Sequence, residues 1–131
     1  MKISEELSII KLSPVSFHLL LTLFIGRKKA RFIIDTGASQ TLISKKFVKQ
    51  QKLKTDKIDN ENITLGIGEE NLSPEITILK NLKIKELTIK NIPCIVLSIE
   101  HINSTYNSFG YKEIDGILGN DILFALECEI L

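Results

Sequence analysis

Cysteine and histidine are scarce in this chain, at two residues each. Cys94 and Cys128 show no Cys-x-x-Cys or metal-ligand spacing, and neither His18 nor His101 has a neighbouring ligand at metal-binding spacing. No metal and no other cofactor is therefore expected, and two reduced thiols in an intracellular domain fit the cysteine usage better than one disulfide. Excess charge is missing as well. Seventeen basic residues face sixteen acidic ones, for a net charge of +1, and the lysines scatter along the chain instead of forming a phosphate track. A nucleic-acid partner is not expected. Long apolar runs are absent too. The stretch FHLLLTLFIG (17–26) is about half of what a spanning helix needs. Its positive charges (Arg27, Lys28, Lys29) follow the run, whereas a secretory leader carries them in front. The expectation is no membrane association and a cytoplasmic location. Gly66-x-Gly68 lacks the third glycine of a dinucleotide fingerprint, and neither a phosphate-binding Gly-Lys-Ser/Thr loop nor a Gly-x-Ser-x-Gly elbow occurs.

What the sequence does have is a composition of 44% hydrophobic and 25% charged residues. That fits one globular domain over 1–131 with a modest core, the first 14 residues forming a less ordered N-terminal segment. Residues 17–26 read as a strand, GRKKA (26–30) as a tight turn and RFIID (31–35) as the returning strand. Residues 44–53 read as a short helix capped by Ser44, with Phe47, Val48 and Leu53 on one side. Residues 56–79 show two strand-like runs around the Gly66-x-Gly68 turn, 82–90 alternate as a strand, and 92–99 form a buried strand. Residues 101–114 read as a polar loop. The C-terminal stretch reads as a strand, a glycine break, a short helix whose Ile122, Leu123, Leu126, Phe124 and Ala125 pack inward, and a final short strand. His18 is expected on a strand with its ring satisfied.

One stretch carries the chemistry. RFIIDTGASQT (31–41) drives three large apolar residues into Asp35 and breaks at once into Thr36, Gly37 and Ala38. A buried carboxylate without a partner is costly, so either a turn exposes Asp35 at the strand end or the carboxylate is buried because its chemistry is needed. The segment GILGNDIL (116–123) echoes FIIDTGAS (32–39): bulky aliphatics, a break with glycine, then a segment able to form a helix. Such an echo suits two similar half-units about a pseudo-dyad.

Asp35-Thr36-Gly37-Ala38-Ser39 after an apolar strand, the Gly66-x-Gly68 hairpin tip, and Ile117-Leu118-Gly119-Asn120-Asp121 near the C-terminus together resemble the retropepsins. These are the single-domain aspartic proteases of retroviruses and their cellular and bacterial relatives. The resemblance runs from about residue 15 to the C-terminus in the family's order. It implies a mostly β, closed barrel-like acid-protease fold with one or two short helices, and a homodimer in which two Asp35 carboxylates meet. Two carboxylates that close cannot both ionise, so they share a proton. One activates water against a peptide carbonyl while the other donates to the carbonyl oxygen. By the same resemblance Thr36 bonds across the dyad and Gly37 lets backbone approach the substrate. Ala38 and Ser39 contact an extended polypeptide, Gly66, Ile67 and Gly68 form the tip of a closing flap, and Ile117, Leu118 and Gly119 support the site. Asp115 and Asp121 occupy places without a catalytic carboxylate in the family.

The sequence departs from the retroviral pattern in two places. Ser39 and Asn120 stand where an acidic residue and an arginine pair near the dimer interface, which points to a neutral hydrogen-bonded substitute. The stretch between the Asp35 loop and Gly119 is longer, with the excess assigned to 99–113 or 56–62. Both features lie closer to the cellular and bacterial branch. The alternative function is a silent retropepsin-like module that dimerises or binds peptides without cutting. The intact Asp35-Thr36-Gly37 favours the enzyme.

Overall fold

A computed structural model of the chain describes residues 7–13, 16–57 and 75–126. Eight strands and three short helices occur among these residues. The strands are β1 (Ser8–Ser13), β2 (Ser16–Ile25), β3 (Lys28–Ile34), β4 (Leu42–Ser44), β5 (Asp56–Lys57), β6 (Glu75–Ile84), β7 (Leu87–Leu97) and β8 (Gly116–Leu118); the helices are α1 (Lys45–Gln50), α2 (Glu100–Ser108) and α3 (Asn120–Ala125).

The apolar run and its return form the hairpin expected of them, with Leu19 opposite Ile34 and Ile25 opposite Lys28. The turn is tighter than GRKKA suggested. It needs only Gly26 and Arg27, with Gly26 at φ +60°, a left-handed conformation that glycine adopts without steric cost. The alternating stretch 82–90 is two strands, not one. Lys85 and Glu86 turn β6 into β7, and Lys85 takes φ +52°. The polar stretch after residue 99 is a helix in its first half, so three helices occur among the described residues where one or two were expected.

Strand order explains how the sheet closes. The order β2-β3-β8-β4-β7-β6 returns to β2, because Phe24 and Ile25 pair with Lys83 and Leu82. Closure leaves these six strands without a free edge along the ring. Inside lies one core, with Leu23, Phe32, Ile43, Leu79 and Leu82 fully buried, joined by Phe47 of α1 and Ile122 of α3. Outside β3, β4 and β7 lies a second. Ile33, Leu42, Ile95 and Leu97 are covered by Ile10 of β1, by Tyr106 of α2, and by Ile114. Two cores account for the unbroken apolar runs, since strands buried on both faces lose the alternation of a half-exposed sheet. Asn103 seals the second core at its margin. Its side chain accepts from Ile114 N at 2.8 Å and donates to Ile114 O at 3.1 Å.

In α3 the expected packing is divided. Ile122 is buried and Leu123 and Leu126 pack against the barrel core, whereas Phe124 is 86% exposed and Ala125 is exposed as well. The Gly66–Gly68 tip and the final strand lie outside the described residues.

The closest approach in the barrel is at Gly116, where a Cβ would stand 2.4 Å from Phe32 Cε2 and 2.5 Å from Leu42 O. Gly116→Ala is expected to destabilise the chain by about 2 kcal/mol through overpacking. A denaturant titration reads this, and an unchanged midpoint would show that β3 and β4 can part around the methyl group.

Candidate active site

β3 delivers Asp35 to the end of the barrel, and the chain turns there at once. Asp35 N donates to Leu118 O at 3.0 Å, the last link of the β3–β8 ladder. One Asp35 carboxylate oxygen accepts from Gly37 N at 2.9 Å, and Ala38 N donates to Asp35 O at 3.1 Å. This is an Asx-type turn, for which Asp and Gly are suited. Asp35, Thr36, Gly37 and Ser39 are exposed and Ala38 is half-buried. Of the two possibilities left open by the sequence, the turn wins within one chain: Asp35 is presented at the surface.

The loop is held from below by the segment that the second motif predicted. Ile117 and Leu118 belong to β8, parallel to β3, with Ile33 opposite Ile117 and Ile34 opposite Leu118. Gly119 follows. A Cβ there would stand 2.8 Å from the Gln40 carbonyl carbon and oxygen and 2.9 Å from Ala38 O, so the two backbones touch where any side chain would part them. Asn120 N donates to Ala38 O at 2.8 Å, and Asn120 Nδ2 donates to Thr36 O at 2.5 Å. The neutral substitute expected for the missing ion pair thus exists on the Asn120 side, but it reaches loop backbone and not Ser39.

Two residues central to this bracing escaped the sequence reading as site residues. Thr41 is fully buried. Its hydroxyl donates to Asp121 Oδ1 at 2.7 Å and accepts from Gly119 N at 3.1 Å, while its backbone N donates to Asp121 Oδ2 at 3.0 Å. Asp121 Oδ1 also accepts from Ile122 N at 2.8 Å, in the first turn of α3. The carboxylate therefore ties the end of the Asp35 loop to the start of α3, and it is fully engaged. A buried threonine ahead of an apolar strand and an aspartate in the first turn of a helix are the two available signals, and neither points to the other.

Arg31, within β3, and Asp115, just ahead of β8, tie the same two strands together on the side away from the loop. Asp115 Oδ2 accepts from Arg31 N at 2.9 Å, and Arg31 Nε donates to Glu113 O at 3.1 Å. Burial raises the Asp115 pKa, with the Arg31 backbone bond and charge opposing it. Cys94 lies in the barrel core, and burial together with the Asp121 charge pushes its thiol up to about 12. It is an inert thiol with no nucleophilic role. Among the described residues no group of three or more His, Cys, Asp or Glu side chains could hold a metal, and no helix there is long and apolar enough to cross a membrane. Gly66, Ile67 and Gly68 lie outside the described residues.

A family model of aspartyl proteases matches residues 21–122. Among solved structures, EIAV protease complexed with the inhibitor HBY-793 superposes with a TM-score of 0.62 at 21% identity, covering 91% of this chain and 97% of that one. A retropepsin-like aspartic protease from Rickettsia conorii gives 0.52 at 21% identity, with 95% and 85% covered. The retroviral protease-like domain of Ddi1 from Leishmania major gives 0.53 at 15% identity, with 87% and 81% covered. A comparison with curated proteins gave no match. The fold is that of the retropepsins.

Thr41→Val keeps the shape of the side chain and removes the hydroxyl, leaving Gly119 N without its acceptor and Asp121 short of a donor. The expected cost is about 1–3 kcal/mol, measured by thermal or urea unfolding. A stability equal to the parent would show that water or a neighbouring group replaces the hydroxyl.

Proposed function

Because the chain belongs to the aspartyl protease family, we propose that it is an aspartic endopeptidase that works as a homodimer, with one Asp35 from each chain. The observation that carries this reading is the presentation of Asp35. The carboxylate stands exposed at a barrel end, on a loop fixed by seven hydrogen bonds among Asp35, Gly37, Ala38, Thr41, Leu118, Gly119, Asn120 and Asp121. A rigid mount for an exposed carboxylate has little value to a solitary chain. It has value when a second carboxylate must be met at fixed distance, because a shared proton requires it. Among the described residues, the two aspartates that flank the glycine motif are already engaged. Asp121 is committed to Thr41 and Asp115 to Arg31.

In this mechanism the two Asp35 side chains hold one proton between them. The ionised member takes a proton from a water, the water oxygen attacks the peptide carbonyl, and the protonated member donates to the carbonyl oxygen. Collapse of the tetrahedral intermediate returns a proton to the leaving amine. Thr36 bonds to the partner loop, and Gly37 allows substrate backbone to come close, since any β-carbon would stand 3.2 Å from Asp35 Oδ1 and intrude on the same space. Ala38 and Ser39 face the extended polypeptide, and Gly66, Ile67 and Gly68 close over it.

Asp35→Asn removes the proton relay with almost no change in shape, so the protein is expected to remain folded and dimeric while peptide cleavage falls by at least about 100-fold. Cleavage near the parent rate would remove this mechanism. Activity per chain should also rise with concentration up to a plateau, since each site needs two chains.

The pH profile should be bell-shaped in the acidic-to-neutral range. At high pH the shared proton leaves and the donor is lost, and at low pH a second proton arrives and the base is lost. A rate still climbing above about pH 9 would exclude a carboxylate dyad.

A further inference from the structure

Lysines that scatter along the sequence are gathered by the fold. On the side of the barrel away from Asp35 the β2–β3 hairpin meets the β6–β7 hairpin. Gly26 N donates to Asn81 O at 2.9 Å, and Phe24 pairs with Lys83. Residues 26–30 and 80–90 hold seven basic residues and one acidic residue, Glu86, which is +6 in a chain whose total is +1. The rest of the chain is therefore net acidic.

Register decides what this region presents. Leu23, Ile25, Ala30, Leu82 and Ile84 belong to the barrel core. The residues alternating with them, Phe24 on β2, Lys29 on β3 and Lys83 on β6, therefore share the outer face. Lys29 pairs with Phe24, and Phe24 with Lys83. On β7, Thr88 pairs with Lys83, and Lys90 follows two residues along on the same face. The result is a row of lysine, phenylalanine and lysine across three strands, its two lysine Cα atoms about 10 Å apart. The outer core over Ile33, Leu42, Ile95 and Leu97 stops short of it. Phe24 is 44% exposed, and Lys29, Lys83 and Lys90 are exposed. Among the described residues none of these three lysines has a hydrogen-bonded or ion-paired partner, and the Lys46–Glu113 salt bridge lies on α1. Like charges gathered without compensation oppose folding, and the exposed ring between them gives the barrel core nothing. An acidic segment with an apolar residue in it would relieve both.

We propose that this row is an exosite for an acidic stretch of the polypeptide substrate, with carboxylates on Lys29 and Lys83 and an apolar side chain over Phe24. Lys90 extends the positive field. This rests on the endopeptidase function proposed above. Other partners suit the row less. A single aromatic is too few to stack the successive bases of a nucleic acid. Phe24 lies within a sheet, whereas a membrane-surface anchor presents its apolar residues on an amphipathic helix. Lys29 lies six residues before Asp35 along β3 and its loop, a distance of about 20 Å. One substrate can therefore occupy both places only if its acidic stretch stands more than about six extended residues from the scissile bond. Docking there raises the local concentration of the scissile segment, so it lowers KM and leaves kcat unchanged.

The test is a cleavable peptide joined through a Gly/Ser spacer to an acidic tail containing one phenylalanine, to a neutral tail, or to none. Binding of the tails to the Asp35→Asn protein is measured in parallel, so that docking is read without turnover. With a spacer of about ten residues, the acidic tail is expected to lower KM roughly fivefold at low salt. The effect should vanish at about 0.5 M salt, with a spacer of about two residues, and in the Lys29→Glu/Lys83→Glu double variant, which should still cleave the tailless peptide at the parent rate. Phe24→Ser should weaken it. Lys49→Glu with Lys112→Glu makes the same change in net charge elsewhere and should leave it intact. Equal KM for acidic and neutral tails in the parent would overturn this inference and leave the endopeptidase standing. An equal loss in the two double variants would overturn it too, because the overall field and not the row would then be responsible. So would binding of an RNA oligonucleotide or of phosphatidylserine vesicles that Lys29→Glu/Lys83→Glu abolishes, with no binding of the acidic tail. Tail binding that depends on Lys29 and Lys83, with no peptide cleaved by the parent, would overturn the endopeptidase reading and leave an acidic-segment docking row.

Discussion

The contact between two backbones at Gly119 governs this molecule. Ala38, Gln40 and Gly119 approach within a distance that no β-carbon tolerates, and around that contact the Asp35 loop acquires its anchors. Asn120 can reach Thr36 O and Ala38 O only because nothing stands between the two segments, and Gly119 N can meet the Thr41 hydroxyl for the same reason. The loop is short, exposed and rich in small residues, a combination that by itself would fluctuate. It is fixed because its polar groups are taken up from beneath, by backbone, by the Asn120 side chain and by Asp121.

The barrel and the outer core divide the remaining work. The closed ring of six strands sets where β3 ends and β8 ends, and hence where Asp35 and Gly119 stand. The outer core, built from β1, α2 and the segment through Ile114, presses β3 and β4 from the opposite side. Strands clamped on both faces transmit little slack to the loop between them. This arrangement suits a carboxylate that must meet a partner at a defined separation, whether the partner comes from a second chain or from a ligand.

Much of this was legible in the sequence because the signals were local. Phe32-Ile33-Ile34 running into Asp35-Thr36-Gly37, and Ile117-Leu118-Gly119 running into a helix, are each short strands broken by small residues, and their order along the chain carried the fold. Ser44 was readable as a cap, and its hydroxyl does accept from Phe47 N. Helix α2 was hidden by composition. Asn103, Ser104, Thr105, Asn107 and Ser108 are poor helix formers, and only Ile102 and Tyr106 mark its inner face at a spacing of four. The turn at Lys85 was hidden by alternation that continues on either side of it, with no glycine or asparagine at the position that takes positive φ. Thr41 and Asp121 were hidden by distance: their bond joins residues 80 apart, and no local pattern encodes such a pairing. Phe124 looked apolar enough to be inside, but Ile122 occupies the inward face of a helix only six residues long.

That long-range bond also bears on when the site comes into being. The segment bearing Asp35 leaves the ribosome well before the segment bearing Gly119, Asn120 and Asp121. Until the later segment arrives, β3 has no parallel neighbour and the loop has no floor. Chain closure across so many residues is slow compared with local hairpin formation. During synthesis the β2–β3 hairpin can therefore stand ready while the carboxylate it carries remains loosely held. The order of segments along the polypeptide thus acts as a timer: the Asp35 loop acquires its fixed geometry only once the segment carrying Gly119 to Asp121 has joined it.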